Sequence, residues 1–122
     1  MEIAWHSESR VASIRYAPDT NLTGKEARVL IDALGGWIGD APEPFAILAD
    51  ATGVRGADAE YRAMTTAFYR QHRERIYIAL MNIGPLIRVL AELFRVGSGL
   101  PVKAFAGEAE ARLWLRSNGI VA

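Results

Sequence analysis

Two uninterrupted apolar runs, residues 45–49 and 76–81, stand out from a chain that otherwise alternates between polar and apolar positions. Runs this short, bounded by turn residues, read as strands covered on both faces. The first ends on Asp50 and continues as Ala51-Thr52-Gly53-Val54-Arg55-Gly56-Ala57-Asp58, a Gly-punctuated loop leading to a second acid. In open α/β sheets the loop after such a strand is where ligands and regulatory groups sit. Two shorter runs, residues 2–5 and 11–16, flank the polar segment His6-Ser7-Glu8-Ser9-Arg10 and read as a β-hairpin. The second run puts Ala12, Ile14 and Tyr16 on one face and Ser13 and Arg15 on a wetter one.

Helical periodicity fills the gaps. Pro18-Asp19-Thr20-Asn21 breaks the hairpin, and Thr23-Gly24-Lys25-Glu26 then has the spacing of a capping box. Ala27, Leu30, Ile31, Leu34 and Ile38 follow at helical intervals, with Gly35-Gly36 expected to loosen the end and residues 39–44 to stop it. Asp58 caps a second helix, with Glu60 in its first turn and Tyr61, Met64, Thr65, Phe68, Tyr69 and His72 on one stripe. Pro85 opens a third helix over residues 85–95, whose Leu86, Ile87, Val89, Leu90, Leu93 and Phe94 cover most of the circumference. That apolar arc exceeds one sheet face and predicts either deep burial or an interface. A last strand, residues 102–106, carries Lys103 as an edge charge, and a last helix, residues 107–117, is expected to face Leu113 and Trp114 inward.

The predicted order is β-β-α-β-α-β-α-β-α: an α/β domain spanning residues 1–122, with a five-stranded, mostly parallel sheet, an N-terminal β-hairpin and four helices. Composition agrees with a globular chain, 51% of its 122 residues being hydrophobic. Fourteen basic and fourteen acidic residues cancel, so no global field favours nucleic acid. No apolar run approaches the roughly 20 residues of a membrane span, and no leader pattern opens the chain, so a cytoplasmic location is expected. The absence of cysteine removes disulfides, thiolate metal sites and thiol catalysis. His6 and His72 have no partner at metal-ligand spacing, so neither a metal nor another cofactor is expected.

The order of elements, with Asp50-Ala51-Thr52-Gly53-Val54 after the third strand and Asp58-Ala59-Glu60-Tyr61 opening the next helix, resembles the STAS domains of bacterial anti-sigma-factor antagonists, the SpoIIAA-like fold. The segment running from Phe105 through Glu108-Ala109-Glu110-Ala111-Arg112-Leu113-Trp114-Leu115 is also similar to the end of such domains. The resemblance implies a non-enzymatic regulatory module acting through protein–protein contacts and switched by phosphorylation near the second helix. Glu60 stands where that family carries its phosphorylated Ser. In a competing register Asp50-Ala51-Thr52-Gly53-Val54 overlies the phosphorylation motif, and Thr52 becomes the acceptor.

Candidate functional residues follow. Asp50, Thr52, Gly53, Asp58 and Glu60 form the regulatory or binding loop, Asp50 being expected to bond loop amides and fix the turn. Asn82, Gly84 and Arg88 are candidate ligand or anion contacts, the amides of Gly53, Gly56 and Gly84 at the starts of the second and third helices being able to hold an anion with Arg88 or Arg62 nearby. Leu86, Ile87, Leu90 and Phe94 are candidate interface residues toward a protein partner or a second copy of the chain. The alternative reading is a small-molecule binding protein for a lipid-like or anionic ligand, with Trp37, Phe68 and Phe94 around a pocket. An enzyme using Asp50 with Thr52 or His72 ranks last, because no nucleophile–base pair is legible.

Overall fold

The computed structural model describes residues 1–40 and 42–120. In chain order the elements are β1 (Glu2–His6), β2 (Val11–Arg15), β3 (Thr20–Leu22), α1 (Gly24–Ile38), β4 (Phe45–Asp50), β5 (Val54–Ala57), α2 (Ala59–Gln71), β6 (Ile76–Met81), α3 (Pro85–Ser98), β7 (Val102–Phe105) and α4 (Glu108–Ser117). Five strands form the main sheet in the order β1-β2-β4-β6-β7. β1 and β2 are the antiparallel hairpin, and every other neighbour in this sheet is parallel.

The apolar runs occupy the centre because only there are both faces covered. From Phe45 to Ala49, every β4 residue is buried, and their side chains alternate between two cores. Phe45 and Ile47 join Ile14, Leu30, Leu34 and Tyr69 under α1 and α2. Ala46 and Leu48 join Ala79, Met81, Ala111 and Leu115 under α4. Each fully buried Leu or Ile contributes about 2 kcal/mol relative to exposure, so these two layers hold the sheet. α4 covers only part of its face, which leaves Ser13 and Arg15 on the wetter side.

Local chemistry sets the helix starts as expected. At α1 the Glu26 carboxylate accepts from the Thr23 amide at 2.9 Å and from the Thr23 hydroxyl, while Thr23 Oγ1 accepts from Lys25 N at 3.3 Å. At α2 Asp58 Oδ1 accepts from Tyr61 N at 2.7 Å. Pro85 opens α3, and Gly99, left-handed at φ 71°, ends it by donating to Arg95 O at 3.0 Å.

The structure corrects the sequence reading in several places. Residues 54–57, expected as loop, form β5 and pair in parallel with β3, which begins inside the segment expected only to break the hairpin. This second, two-stranded sheet carries too few residues for a readable alternation. Gly35 and Gly36 do not loosen α1, which continues to Ile38. α3 runs one turn further than expected, to Ser98, and none of its residues is fully buried. In α4, Leu113 faces outward, and Ala111 and Leu115 fill the core beside half-buried Trp114.

Candidate functional site

The turn after β4 is built around a single carboxylate oxygen. Asp50 Oδ1 accepts from Thr52 N at 3.0 Å, from Thr52 Oγ1 at 2.7 Å and from Asn82 Nδ2 at 3.1 Å. Partial burial pushes the Asp50 carboxyl upward. The hydrogen bonds from Thr52 and Asn82 and the nearby Arg15 charge outweigh it, holding the group below its ordinary value. The acid is thus committed to its turn. Asn82, left-handed at φ 57°, brings the end of β6 to the same carboxylate.

Gly53 has a structural task in this loop. Its φ is +89°, and a Cβ there would lie 2.7 Å from the backbone oxygen of Ala17. Its own carbonyl accepts from Thr20 N at 2.8 Å, tying the loop to β3. Only glycine combines that φ with so close an approach. Glu60 is exposed in the first turn of α2 and leans over Gly24, so the same carboxylate faces the start of α1. Thr52 stands six residues before Asp58, the cap of α2, and is exposed to solvent, away from any helix start.

The residues proposed to meet an anion are only partly gathered. Gly84 precedes Pro85 at the start of α3, but Gly53 lies before β5 and Gly56 within it. Asn82 serves Asp50, and Arg62 Nε donates to Asp58 O at 3.3 Å. Among the described residues, no three His, Asp or Glu side chains cluster as metal ligands do. His72 ends α2 with its ring centroid 4.8 Å from that of Phe68; burial, with the Arg75 charge, lowers its pKa.

α3 presents two different apolar faces. Ile87, Leu90 and Phe94, expected at an interface, instead turn toward the sheet and roof a cavity of about 160 Å³. Ala49, Ile78, Leu80 and Val102 of the sheet form its floor, with Tyr61, Thr65 and Tyr69 of α2 on one side. Four of the lining side chains, Ala49, Ala51, Ala57 and Ala91, are alanines, which leave room that larger side chains would fill. Phe94 is the one member of the expected aromatic trio that lines it; Trp37 stacks on Trp5, and Phe68 packs against Tyr69 and His72.

The cavity holds a group of tyrosines that the sequence reading passed over. Burial pushes the Tyr16 and Tyr69 phenols well above their ordinary value and raises Tyr61 to about 12. Tyr16 and Tyr61 both line the cavity wall. The sequence signal was the helical spacing of Tyr61, Thr65 and Tyr69, but the contribution of Tyr16 from the end of β2 is purely tertiary.

The adjoining face of α3 is exposed. Leu86, Val89, Leu93 and Val96 show 64%, 57%, 64% and 68% of their surface to solvent. Leu86 alone among the four expected interface residues belongs to this outer stripe.

A solved structure from Shewanella loihica PV-4, an uncharacterized protein of the DUF3478 family with a SpoIIAA-like fold, superposes with a TM-score of 0.69. The fold here is SpoIIAA-like. The match covers 93% of this chain and 90% of the other at 16% sequence identity, so it shows the fold alone. No family model matches the sequence, and no curated protein matches it. Among the described residues, no helix of this SpoIIAA-like chain is long and apolar enough to cross a membrane.

Proposed function

We propose that this chain is a non-enzymatic regulatory module that works in the cytoplasm through protein contacts made by α3. The observation that carries this reading is the outer stripe of α3, four large aliphatic side chains exposed along one helix. Isolated exposed apolar residues need no explanation, but a contiguous row on one helix marks a contact surface. The Asp50 turn supports a non-catalytic role, since three donors already converge on its Oδ1. Thr52 is the residue at which the loop would be switched. A phosphoryl group there would replace a donor hydroxyl with about two negative charges facing Asp50 and would break the turn.

The test is an affinity capture with the purified chain as bait, comparing wild type with Leu93→Glu. A specific protein partner retained by wild type and lost by the variant is expected. Equal capture by both would sink the α3 assignment.

The cavity favours a second reading, a carrier of a small apolar or lipid-like molecule. A volume of about 150 Å³ is enough for a benzene-sized group, and the tyrosine hydroxyls would meet a polar end. Native mass spectrometry of fresh protein should then show a bound ligand, and Leu90→Trp, which fills the cavity, should lose it.

A further inference from the structure

We infer that the outer stripe of α3 is the seam of an antiparallel homodimer, a conclusion resting on the reading of this helix as a contact surface. Leu86, Val89, Leu93 and Val96 are separated by three, four and three residues, the spacing of a two-stranded helical seam. That sequence of intervals reads the same from either end. A two-fold axis beside the middle of the helix therefore sets Leu86 against Val96 of the second copy and Val89 against its Leu93. Every layer then holds one leucine and one valine, so the seam has even thickness. An isologous contact of this kind needs no second surface elsewhere on the molecule.

Charge selects the same partner and the same direction. Arg88, Glu92 and Arg95 line one flank of the stripe at intervals of four and three residues. Glu92 binds the Arg95 guanidinium within the helix, whereas the Arg88 side chain has no partner among the described residues. Arg88 also lies near the start of a helix whose first turn contains no acid, where a positive charge opposes the helix dipole. In the antiparallel arrangement Arg88 comes level with residue 94 of the second copy. There it reaches that copy's Glu92 and the negative half of its helix, and the two-fold repeats the contact. A parallel arrangement would instead put Arg88 beside Arg88 and align the two dipoles. The formal net charge of zero adds no long-range repulsion between copies. A seam of four side chains per copy is smaller than a standard interface, so dissociation is expected on the order of tens of micromolar.

Sedimentation velocity of the full chain across roughly 5 to 500 µM tests this, since mass action must move the equilibrium over such a range. Wild type should pass from monomer to dimer. Leu93→Glu should weaken association at least tenfold, by placing a charge in the apolar seam, with unchanged circular dichroism. Arg88→Glu should weaken it too, and Arg88→Glu combined with Glu92→Arg should recover part of the loss. Because the chain has no cysteine, Leu86→Cys and Val96→Cys made separately, then mixed and oxidised, should crosslink to each other and not to themselves. Self-crosslinking of either variant would overturn the antiparallel seam. A wild type that stays monomeric throughout would overturn the dimer, as would a monomer that floats with phosphatidylglycerol vesicles through the same stripe. If wild type is monomeric yet Leu93→Glu loses a captured protein, only the homodimer falls. If neither property changes, the contact reading of α3 falls with it.

Discussion

At the scale of single residues, Asp50 shows how one side chain can organise a loop without performing chemistry. Removing its carboxylate leaves Thr52 N, Thr52 Oγ1 and Asn82 Nδ2 without their shared acceptor. Asp50→Ala should therefore lose about 2 kcal/mol at neutral pH, measured by urea denaturation, since bonds to a charged acceptor exceed the neutral average. The pH dependence has a definite sign. The folded-state pKa lies below the ordinary value of 3.8, so between the two the unfolded chain binds more protons. The contribution of Asp50 is full above 3.8 and fades as pH falls through the lower folded value, and the gap between wild type and variant should close over that interval. Its turn-forming role was legible because an Asp can bond amides two residues ahead. Asn82 was not, lying 32 positions away and brought in only by the pairing of β4 with β6.

At the scale of elements, α1 illustrates a helix whose two ends are governed differently. Its start is capped by neighbours in sequence, Thr23 and Glu26. Its end has no basic residue in the last turn and is finished from a distance. Arg10, left-handed at φ 59° between β1 and β2, donates from Nη2 to Ile38 O at 2.8 Å and from Nε to Pro44 O at 3.2 Å. Arg75 Nη2 donates to Gly39 O at 2.7 Å. Helix-end carbonyls left without partners are costly, so Arg10→Ala should destabilise the protein by about 1–2 kcal/mol. Hydrogen exchange should show the last turn of α1 opening more readily in that variant, while the first turn keeps its protection. α3 is the contrary case. Its broad apolar arc is more than one sheet face needs, and the arc divides into an inner wall and an outer stripe. Periodicity alone could not separate Ile87, Leu90 and Phe94 from Leu86, because that division depends on where the sheet lies.

At the scale of the whole molecule, a self-associating chain has a stability inseparable from its concentration. The midpoint of thermal unfolding should rise as wild-type protein is concentrated and stay constant for Leu93→Glu, a comparison readable by scanning calorimetry. The sequence by itself determined the α/β class, the order of the four helices and the main-sheet strands, the central places of β4 and β6, and the caps of α1 and α2. Those features rest on interactions within a few residues or on apolar runs that only a doubly covered strand can bury. Only the tertiary structure decided the β3–β5 pairing, the tyrosine-lined cavity and the outward direction of Leu86, Val89, Leu93 and Val96. Each of these depends on which distant segments meet, and a side chain's burial is set by what packs against it as much as by its own chemistry.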